Sequence, residues 1–193
     1  MQNNPILEIF EKTGALLTGH FQLTSGLHSR QYFQCARVLQ YPEYAELLCA
    51  EVGKHFAGRE VAAVAAPAVG GIIVAHETAR ALEVRAIFME REAGKMTLRR
   101  GFEIRRGERV LMVEDVITTG GSVGEVIELV KSLGGFPVGA ACLVDRSGGK
   151  VDLGIELFSL MKMDIQTTPP EHCDLCKQGV PVIKPGSRKL ANG

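Results

Sequence analysis

The stretch that most constrains the fold is residues 110–122, which read VLMVEDVITTGGS. Its first four residues are apolar, which is typical of a strand buried on both faces. Two acids, Glu114 and Asp115, come where that strand is expected to end, and a helical pattern begins at Val123. The stretch therefore predicts a strand, an acid pair, a short polar turn and a helix.

This junction has the chemistry to bind a phosphorylated sugar. A helix N-terminus offers N–H groups and the positive end of the helix dipole to a phosphate. The turn adds hydroxyl donors and glycines that allow close backbone approach: Thr118, Thr119, Gly120, Gly121 and Ser122. The two acids repel a phosphate, but they accept hydrogen bonds from sugar hydroxyls or hold a cation. A ribose 5-phosphate satisfies both halves, whereas the Walker A and dinucleotide-binding patterns are absent from this stretch.

Length and charge narrow the class of protein. We expect 193 residues to form a single domain, spanning 1–193, with a sizeable core. Lys plus Arg equals Asp plus Glu, so the net charge of zero argues against a general nucleic-acid or membrane-surface binder. The sequence has no apolar run of membrane-spanning length and no signal-peptide pattern at its start, so we expect a cytoplasmic protein. Five scattered cysteines fit reduced thiols better than disulfides.

From Val61 onward, strand patterns alternate with helix patterns. The expected strands are 61–66, 84–89, 109–113 and 137–144, and the expected helices are 71–82 and 122–133. Such alternation predicts an α/β fold, a central parallel sheet flanked by helices. In such sheets ligands bind beyond the carboxyl ends of the strands. The segments expected there are 67–71, 90–104, 114–122 and Asp145-Arg146.

The flanking segments follow other patterns. Before the alternation we expect a first helix capped by Asn3 or Asn4, a small hairpin within 19–35 outside the main sheet, and a helix over 42–56. The connection over 91–107 is polar and long. The tail from Pro169 is rich in proline, which predicts loop structure.

The pattern of residues 110–122 resembles the phosphoribosyl-diphosphate (PRPP) motif of the type I phosphoribosyltransferases. The resemblance implies that fold, with a small N-terminal β-containing hood over about 1–40, a core over about 41–160 and a loop-rich tail over about 161–193. It also implies that residues 114–122, including Val116 and Ile117, bind PRPP. Asp115, with Glu114, would hydrogen-bond the ribose hydroxyls and belong to the catalytic residues.

Over roughly residues 1–150 the chain resembles the orotate phosphoribosyltransferases. That resemblance implies transfer of the phosphoribosyl group of PRPP to orotate, giving orotidine 5′-monophosphate and diphosphate, in pyrimidine biosynthesis. The implied cofactor is Mg²⁺, carried by PRPP and without a direct side-chain ligand. The implied partners are the two small substrates and a second copy of the chain, in a homodimer with shared active sites.

Two loops resemble the diphosphate-binding segments of that family. Residues 67–71 resemble the loop that binds diphosphate through backbone amides, although many orotate enzymes have a lysine at the position of Gly70. Residues 90–101 resemble the mobile catalytic loop, which reaches the neighbouring subunit's site. Arg91 and Lys95 match the family's diphosphate-contacting Arg and Lys, which makes them catalytic candidates. Thr97 stands where the family has a loop histidine.

The base is expected to bind between the hairpin and Arg146. Tyr32 and Phe33 resemble the family's base-stacking aromatics, although one of the two is expected to be plain core; the family often has a lysine where Thr24 stands. Arg146 matches the family's Val-Asp-Arg and would clamp the orotate carboxylate, with Thr118 beside the base. The alternative for Arg146 is a local salt bridge with its neighbouring acid.

Cys173 and Cys176 form a single Cys-x-x-Cys pair. A structural zinc site usually needs two more ligands, and the four histidines other than His172 lie far off in sequence. The sequence therefore favours loop thiols, with a zinc site between subunits as the alternative.

Two other functions compete with the orotate interpretation. One is a phosphoribosyltransferase for a purine or another base, which the hairpin aromatics and Arg146 disfavour. The other is a non-catalytic regulator that senses PRPP, nucleotide or RNA on the same fold, which the neutral charge disfavours.

Overall fold

Sixteen short elements make up the part of the chain that the computed structural model describes, residues 5–23 and 25–185. The expected cap at Asn3 or Asn4 and the position of Thr24 lie outside these residues. The strands are β1 (Leu16–Gln22), β2 (His28–Phe33), β3 (Ala63–Pro67), β4 (Arg85–Glu92), β5 (Lys95–Leu98), β6 (Arg109–Ile117), β7 (Phe136–Asp145), β8 (Leu157–Lys162) and β9 (Thr167–Thr168). The α-helices are α1 (Pro5–Lys12), α2 (Ala36–Leu39), α3 (Pro42–Phe56), α4 (Gly71–Leu82), α5 (Gly121–Ser132) and α6 (Asp174–Lys177), and a 3₁₀ turn covers Pro170–His172.

The main sheet has the strand order β5-β4-β3-β6-β7-β8. Its strands β4, β3, β6, β7 and β8 are parallel, which confirms the α/β prediction. The edge strand β5 runs antiparallel to β4, so the sheet is mixed. This strand lies within 91–107, where only a polar connection was expected. Ala93 and Gly94 both have positive φ, 49° and 82°, and join Glu92 to Lys95 in a two-residue hairpin turn.

Helices cover both faces of this sheet. In β3 the side chains of Val64 and Ala66 join the core under α2, α3 and α4, whereas Ala65 joins the core under α5. Successive side chains of a strand point to opposite faces of the sheet, so a central strand with helices on both faces buries all of them. The observed bounds of α3 and α4 agree with the expected helices 42–56 and 71–82.

A second, three-stranded sheet with the order β1-β2-β9 forms the hood. The antiparallel pair β1–β2 confirms the predicted hairpin, and β9 adds a short strand from the tail beside His28 and Ser29. The tail therefore contributes to the hood. Strand β8, which closes the far edge of the main sheet, was not expected from the sequence.

Among the described residues, no helix combines the length and the apolar character needed to cross a lipid bilayer.

Candidate active site

The turn between β6 and α5 forms a small pocket at the edge of the main sheet. Strand β6 was expected to end before the acid pair, but it continues to Ile117 and includes both acids. The turn is therefore shorter than expected. Helix α5 begins at Gly121, and no side chain caps its first turn. The pocket has a volume of about 60 Å³. Its lining is Glu114, Val116, Ile117, Thr118, Thr119, Gly120, Gly121, Ser122 and Val123.

Gly120 makes this turn possible. Its φ of 77° lies in the left-handed region, and a Cβ atom built there would lie 2.7 Å from Cγ1 of Val151. Both constraints select glycine. The chain can therefore enter α5 beside the pocket, and the N–H groups at the start of a helix suit an anion.

The acid pair is partly withdrawn from solvent. The Oδ1 atom of Asp115 accepts the backbone N–H of Val116 at 2.9 Å, and Oε1 of Glu114 accepts the backbone N–H of Asp115 at 3.3 Å. Burial is the main cause that raises the pKa of Asp115, and its hydrogen bonds oppose that rise. The pair holds acceptor oxygens beside the small pocket.

Residues 67–71 pack directly against this acid pair. A Cβ atom at Gly70 would lie 2.7 Å from both carboxylate oxygens of Asp115, and one at Gly71 would lie 2.8 Å from Cβ of Ala66 and 3.2 Å from Oε1 of Glu114. A lysine at position 70 would require the Asp115 carboxylate to move. The close packing thus gives a physical reason for the departure from the family pattern noted above.

A larger cavity of about 870 Å³ adjoins the turn. Seven predicted site residues line it: Tyr32, Arg91, Thr118, Thr119, Gly121, Ser122 and Arg146. These residues come from the hood, from β4, from the turn and from the end of β7. The fold brings them together although 114 positions separate the first from the last (146 − 32).

Arg146 is half-buried in this cavity, and its guanidinium carbon lies 5.9 Å from the centre of the Tyr32 ring. Its buried Nε has no hydrogen-bond partner among the described residues, and burial lowers the pKa of the guanidinium. The alternative of a salt bridge with Asp145 is wrong. That carboxylate instead accepts the N–H and hydroxyl of Ser147, at 2.8 and 2.6 Å, and the N–H of Gly149 at 3.0 Å.

The two hairpin aromatics have different environments. Tyr32 lines the cavity, and burial is the main cause that raises its pKa. Phe33 is 3% exposed and packs edge-on against Phe10, with 5.7 Å between ring centres. Neighbouring strand residues point to opposite faces, so the assignment of Phe33 to the base is corrected: it belongs to the core.

The two predicted diphosphate-contacting cations are also separated. The guanidinium of Arg91 lines the cavity and donates two hydrogen bonds to the Glu125 carboxylate, at 2.7 and 2.8 Å, which raise its pKa. Lys95 begins β5 opposite Glu92, is exposed, and does not line the cavity formed by the described part of this chain. The β4–β5 hairpin therefore places Arg91 in the cavity and Lys95 outside it.

Several residues of the cavity were not predicted from the sequence. Glu125, which pairs with Arg91, lies in the second turn of α5, and an acid on a half-buried helix position gives no specific signal for a site. Lys150 and Asp164, which both line the cavity, form an ion pair with 3.2 Å between Nζ and Oδ1. Asp164 and Thr167 come from the tail, for which only loop structure was expected, so no signal pointed to them.

A further cluster lies away from this cavity, within the hood. The thiols of Cys173 and Cys176 lie beside the imidazoles of His20 and His28, and one ligand atom from each residue lies within 4.8 Å of all the others. The expectation of isolated loop thiols is wrong in this respect, because the fold brings distant histidines to the pair.

Comparison with known proteins agrees with the geometry. The model of the family described as "Phosphoribosyl transferase domain" matches residues 43–172. An orotate phosphoribosyltransferase of Pelotomaculum thermopropionicum is 60% identical over 190 residues, which cover 98% of this chain and 100% of that relative. One of Desulforamulus reducens is 56% identical with the same coverage. The solved orotate phosphoribosyltransferase from Aeropyrum pernix is 30% identical, with a TM-score of 0.69 over 81% of this chain and 93% of that chain.

Proposed function

The chain belongs to the orotate phosphoribosyltransferase family, and from that premise we propose how its residues divide the reaction among them. The enzyme transfers the 5-phosphoribosyl group of PRPP to orotate, yielding orotidine 5′-monophosphate and diphosphate in pyrimidine biosynthesis. The bond between ribose C1 and diphosphate breaks with its electron pair on diphosphate. A ring nitrogen of orotate releases its proton to solvent and forms the new bond to C1.

The 5-phosphate of PRPP binds in the turn before α5. Backbone N–H groups at the helix start and the hydroxyls of Thr118, Thr119 and Ser122 donate to its oxygens. The pocket of about 60 Å³ around these residues supports this assignment. Gly120 brings the backbone close enough for several donors to reach one phosphate.

The ribose binds over the acid pair. Asp115 and Glu114 accept hydrogen bonds from its hydroxyls, and their negative charge favours the positive charge that develops at C1 as diphosphate departs. Residues 67–71 pack against Asp115 and present backbone to the diphosphate side of the site. Catalysis then consists mainly of positioning and electrostatic stabilisation.

Mg²⁺ is the cofactor that this chemistry calls for, and it arrives with PRPP. Hard divalent cations prefer oxygen ligands, and diphosphate supplies many of them. The negative carboxylates of Glu114 and Asp115 complement the positive charge of the cation. When bound, the cation neutralises charge on the diphosphate leaving group. Arg91 adds a guanidinium to the same cavity.

Orotate binds between Tyr32 and Arg146. The pyrimidine ring stacks on the Tyr32 ring, and the guanidinium takes the orotate carboxylate in a bidentate pair. Thr118 touches the base from the turn. The observation that carries the proposal is the half-buried Arg146, whose Nε is without a partner among the described residues, in the same cavity as the phosphate turn.

Lys95 acts across a dimer. The β4–β5 hairpin holds it outside the cavity of its own chain, where a second copy can receive it. We therefore place Lys95 on the diphosphate bound in the partner's site, with two shared sites in a homodimer. The five cysteines, all within the described residues, form no disulfide, which fits a reducing compartment and our assignment of the enzyme to the cytoplasm.

The test is an absorbance assay of orotate consumption with PRPP and Mg²⁺, run beside adenine, hypoxanthine, guanine, xanthine and uracil. We expect turnover of orotate only. Uracil is the sharpest control, because it is orotate without the carboxylate that Arg146 would bind. Equal turnover of uracil would contradict the carboxylate clamp, and PRPP-dependent turnover of none of these bases would contradict the function itself.

A further inference from the structure

Four side chains with metal-binding chemistry converge at one point of the hood, and we refer to them as the Cys₂His₂ cluster: His20, His28, Cys173 and Cys176. His20 lies on β1 and His28 begins β2, whereas Cys173 precedes α6 and Cys176 lies within it. We propose that this cluster binds a structural Zn²⁺ ion that fastens the tail of the chain to the hood.

The distances within the cluster are close to those of a tetrahedral zinc site. Zinc bonds of about 2.0–2.1 Å to nitrogen and about 2.3 Å to sulfur place an N and an S about 3.6 Å apart. The corresponding distances are 3.4 Å from Cys173 Sγ to His20 Nε2, 3.7 Å from Cys176 Sγ to the same atom, and 3.3 Å from Cys176 Sγ to His28 Nδ1. The two imidazole nitrogens are 2.8 Å apart, and a zinc ion between them would widen that gap by about half an ångström.

The hydrogen bond of His20 suits metal binding. Its Nδ1 lies 2.8 Å from the carbonyl oxygen of Val180, and a carbonyl can only accept, so Nδ1 donates in this bond. Nε2 is the ring nitrogen directed at His28, Cys173 and Cys176, and it is therefore the atom available to a metal. A backbone carbonyl on the second ring nitrogen is the usual support of a histidine that ligates a metal.

The ligand set identifies the ion. Two thiolates and two imidazoles in a tetrahedral arrangement are typical of zinc, and four protein ligands leave no open position, as in structural sites. Two thiolates also neutralise the charge of Zn²⁺. The ion can then occupy a site in which His20, His28 and Cys173 are each at most 6% exposed.

Beyond Ile165, the described part of the tail has few buried side chains to hold it. Among residues 166–185, all of which the structure describes, Cys173 alone is buried. Neither the 3₁₀ turn nor α6 contains a buried residue. Backbone hydrogen bonds join Ile183 to His20 and Gln22, and β9 pairs with β2. A metal at the cluster supplies the side-chain anchor that this segment otherwise lacks.

The cluster is linked to the substrate cavity through two elements. Strand β2 begins at the ligand His28 and carries Tyr32, and the segment from Asp164 to Thr167 lines the cavity just before the cysteines. Release of zinc would free the tail beside the orotate side of the cavity, while the phosphate turn is built on β6 and α5.

The experiment measures zinc directly in the untagged, full-length protein purified under reducing conditions. We expect one equivalent of zinc per chain by elemental analysis. Cobalt added to the chelated protein should give a thiolate-to-cobalt charge-transfer band and the visible bands of a tetrahedral site. Chelation should lower the melting temperature of the wild-type protein, and added zinc should restore it.

Matched variants locate the ion. Cys176→Ala and His28→Ala should lose the bound metal, whereas Cys49→Ala and His172→Ala should keep it, because those side chains lie outside the cluster. Reduced wild-type protein that contains no zinc and gives no cobalt spectrum would overturn the proposal in favour of a hydrogen-bonded cluster. A disulfide between Cys173 and Cys176 would overturn it as well. These wild-type measurements decide the question even if a variant fails to fold.

Discussion

Replacing Arg146 by alanine removes the cation that we place against the orotate carboxylate. The guanidinium is half-buried and faces the Tyr32 ring. The free energy of its pair with the carboxylate should therefore lie between that of an exposed ion pair and that of a fully desolvated one. Exposed pairs contribute about 0–1 kcal/mol, and loss of one partner of a buried pair costs about 2–5 kcal/mol. Because the carboxylate pairs with both arms of a fork, we expect a loss of about 2–3 kcal/mol, or roughly a 30- to 150-fold rise in KM for orotate.

Steady-state kinetics with each substrate varied in turn measure this effect. KM for PRPP should change little in Arg146→Ala, because the phosphate turn and the acid pair remain. Arg146→Lys keeps the charge but loses the fork and should give an intermediate KM for orotate. Arg106→Ala, at an exposed position outside the cavity, is the matched control. Equal losses for orotate and PRPP, or an unchanged KM for orotate, would refute the carboxylate clamp.

Three further predictions test other parts of the site. Gly120→Ala should lower both stability and PRPP affinity, because the backbone at this position is left-handed and the added Cβ would meet Val151. The control Gly124→Ala, with open space around it, should lower neither. Calorimetry measures the stability of the two variants, and PRPP titration measures their affinity. Phe33→Ala should destabilise the fold by about 3–5 kcal/mol in denaturant melts, whereas Tyr32→Ala should mainly raise KM for orotate; the opposite pattern would reverse their assignment. Lys95→Ala should lower kcat strongly with an unchanged melting temperature, and near-normal kcat would remove Lys95 from catalysis.

The sequence predicted the elements whose signals are local. Pro42 stands at the first turn of α3, and two glycines precede an apolar helical pattern at α4, so both helices have the expected bounds. Residues 110–122 likewise carry their strand, acids, turn and helix in one continuous run. Six of the seven predicted site residues that line the cavity follow or end parallel strands, whose carboxyl ends meet at one edge of the sheet. The seventh, Tyr32, comes from the hood.

The elements that were missed depend on tertiary contacts. Strand β5 follows a turn with Ala93 at positive φ, a conformation for which alanine gives no signal. Strand β8 is an edge strand whose residues are mostly only half-buried, so it lacks a strong pattern. Phe33 and Tyr32 are adjacent in sequence, and only the pleat of β2 separates core from cavity. The Cys₂His₂ cluster joins residues 145 positions apart (173 − 28), which spacing alone cannot relate.

We expect one strand-to-helix junction to hold the phosphate while Arg146 holds the carboxylate of the same nucleotide. A crystal structure of the enzyme with orotidine 5′-monophosphate tests it most directly. We predict the 5′-phosphate within hydrogen-bond distance of residues 118–122 and the carboxylate paired with the Arg146 guanidinium. A nucleotide bound with its phosphate elsewhere, or with its carboxylate in solvent and Arg146 unengaged, would contradict the account.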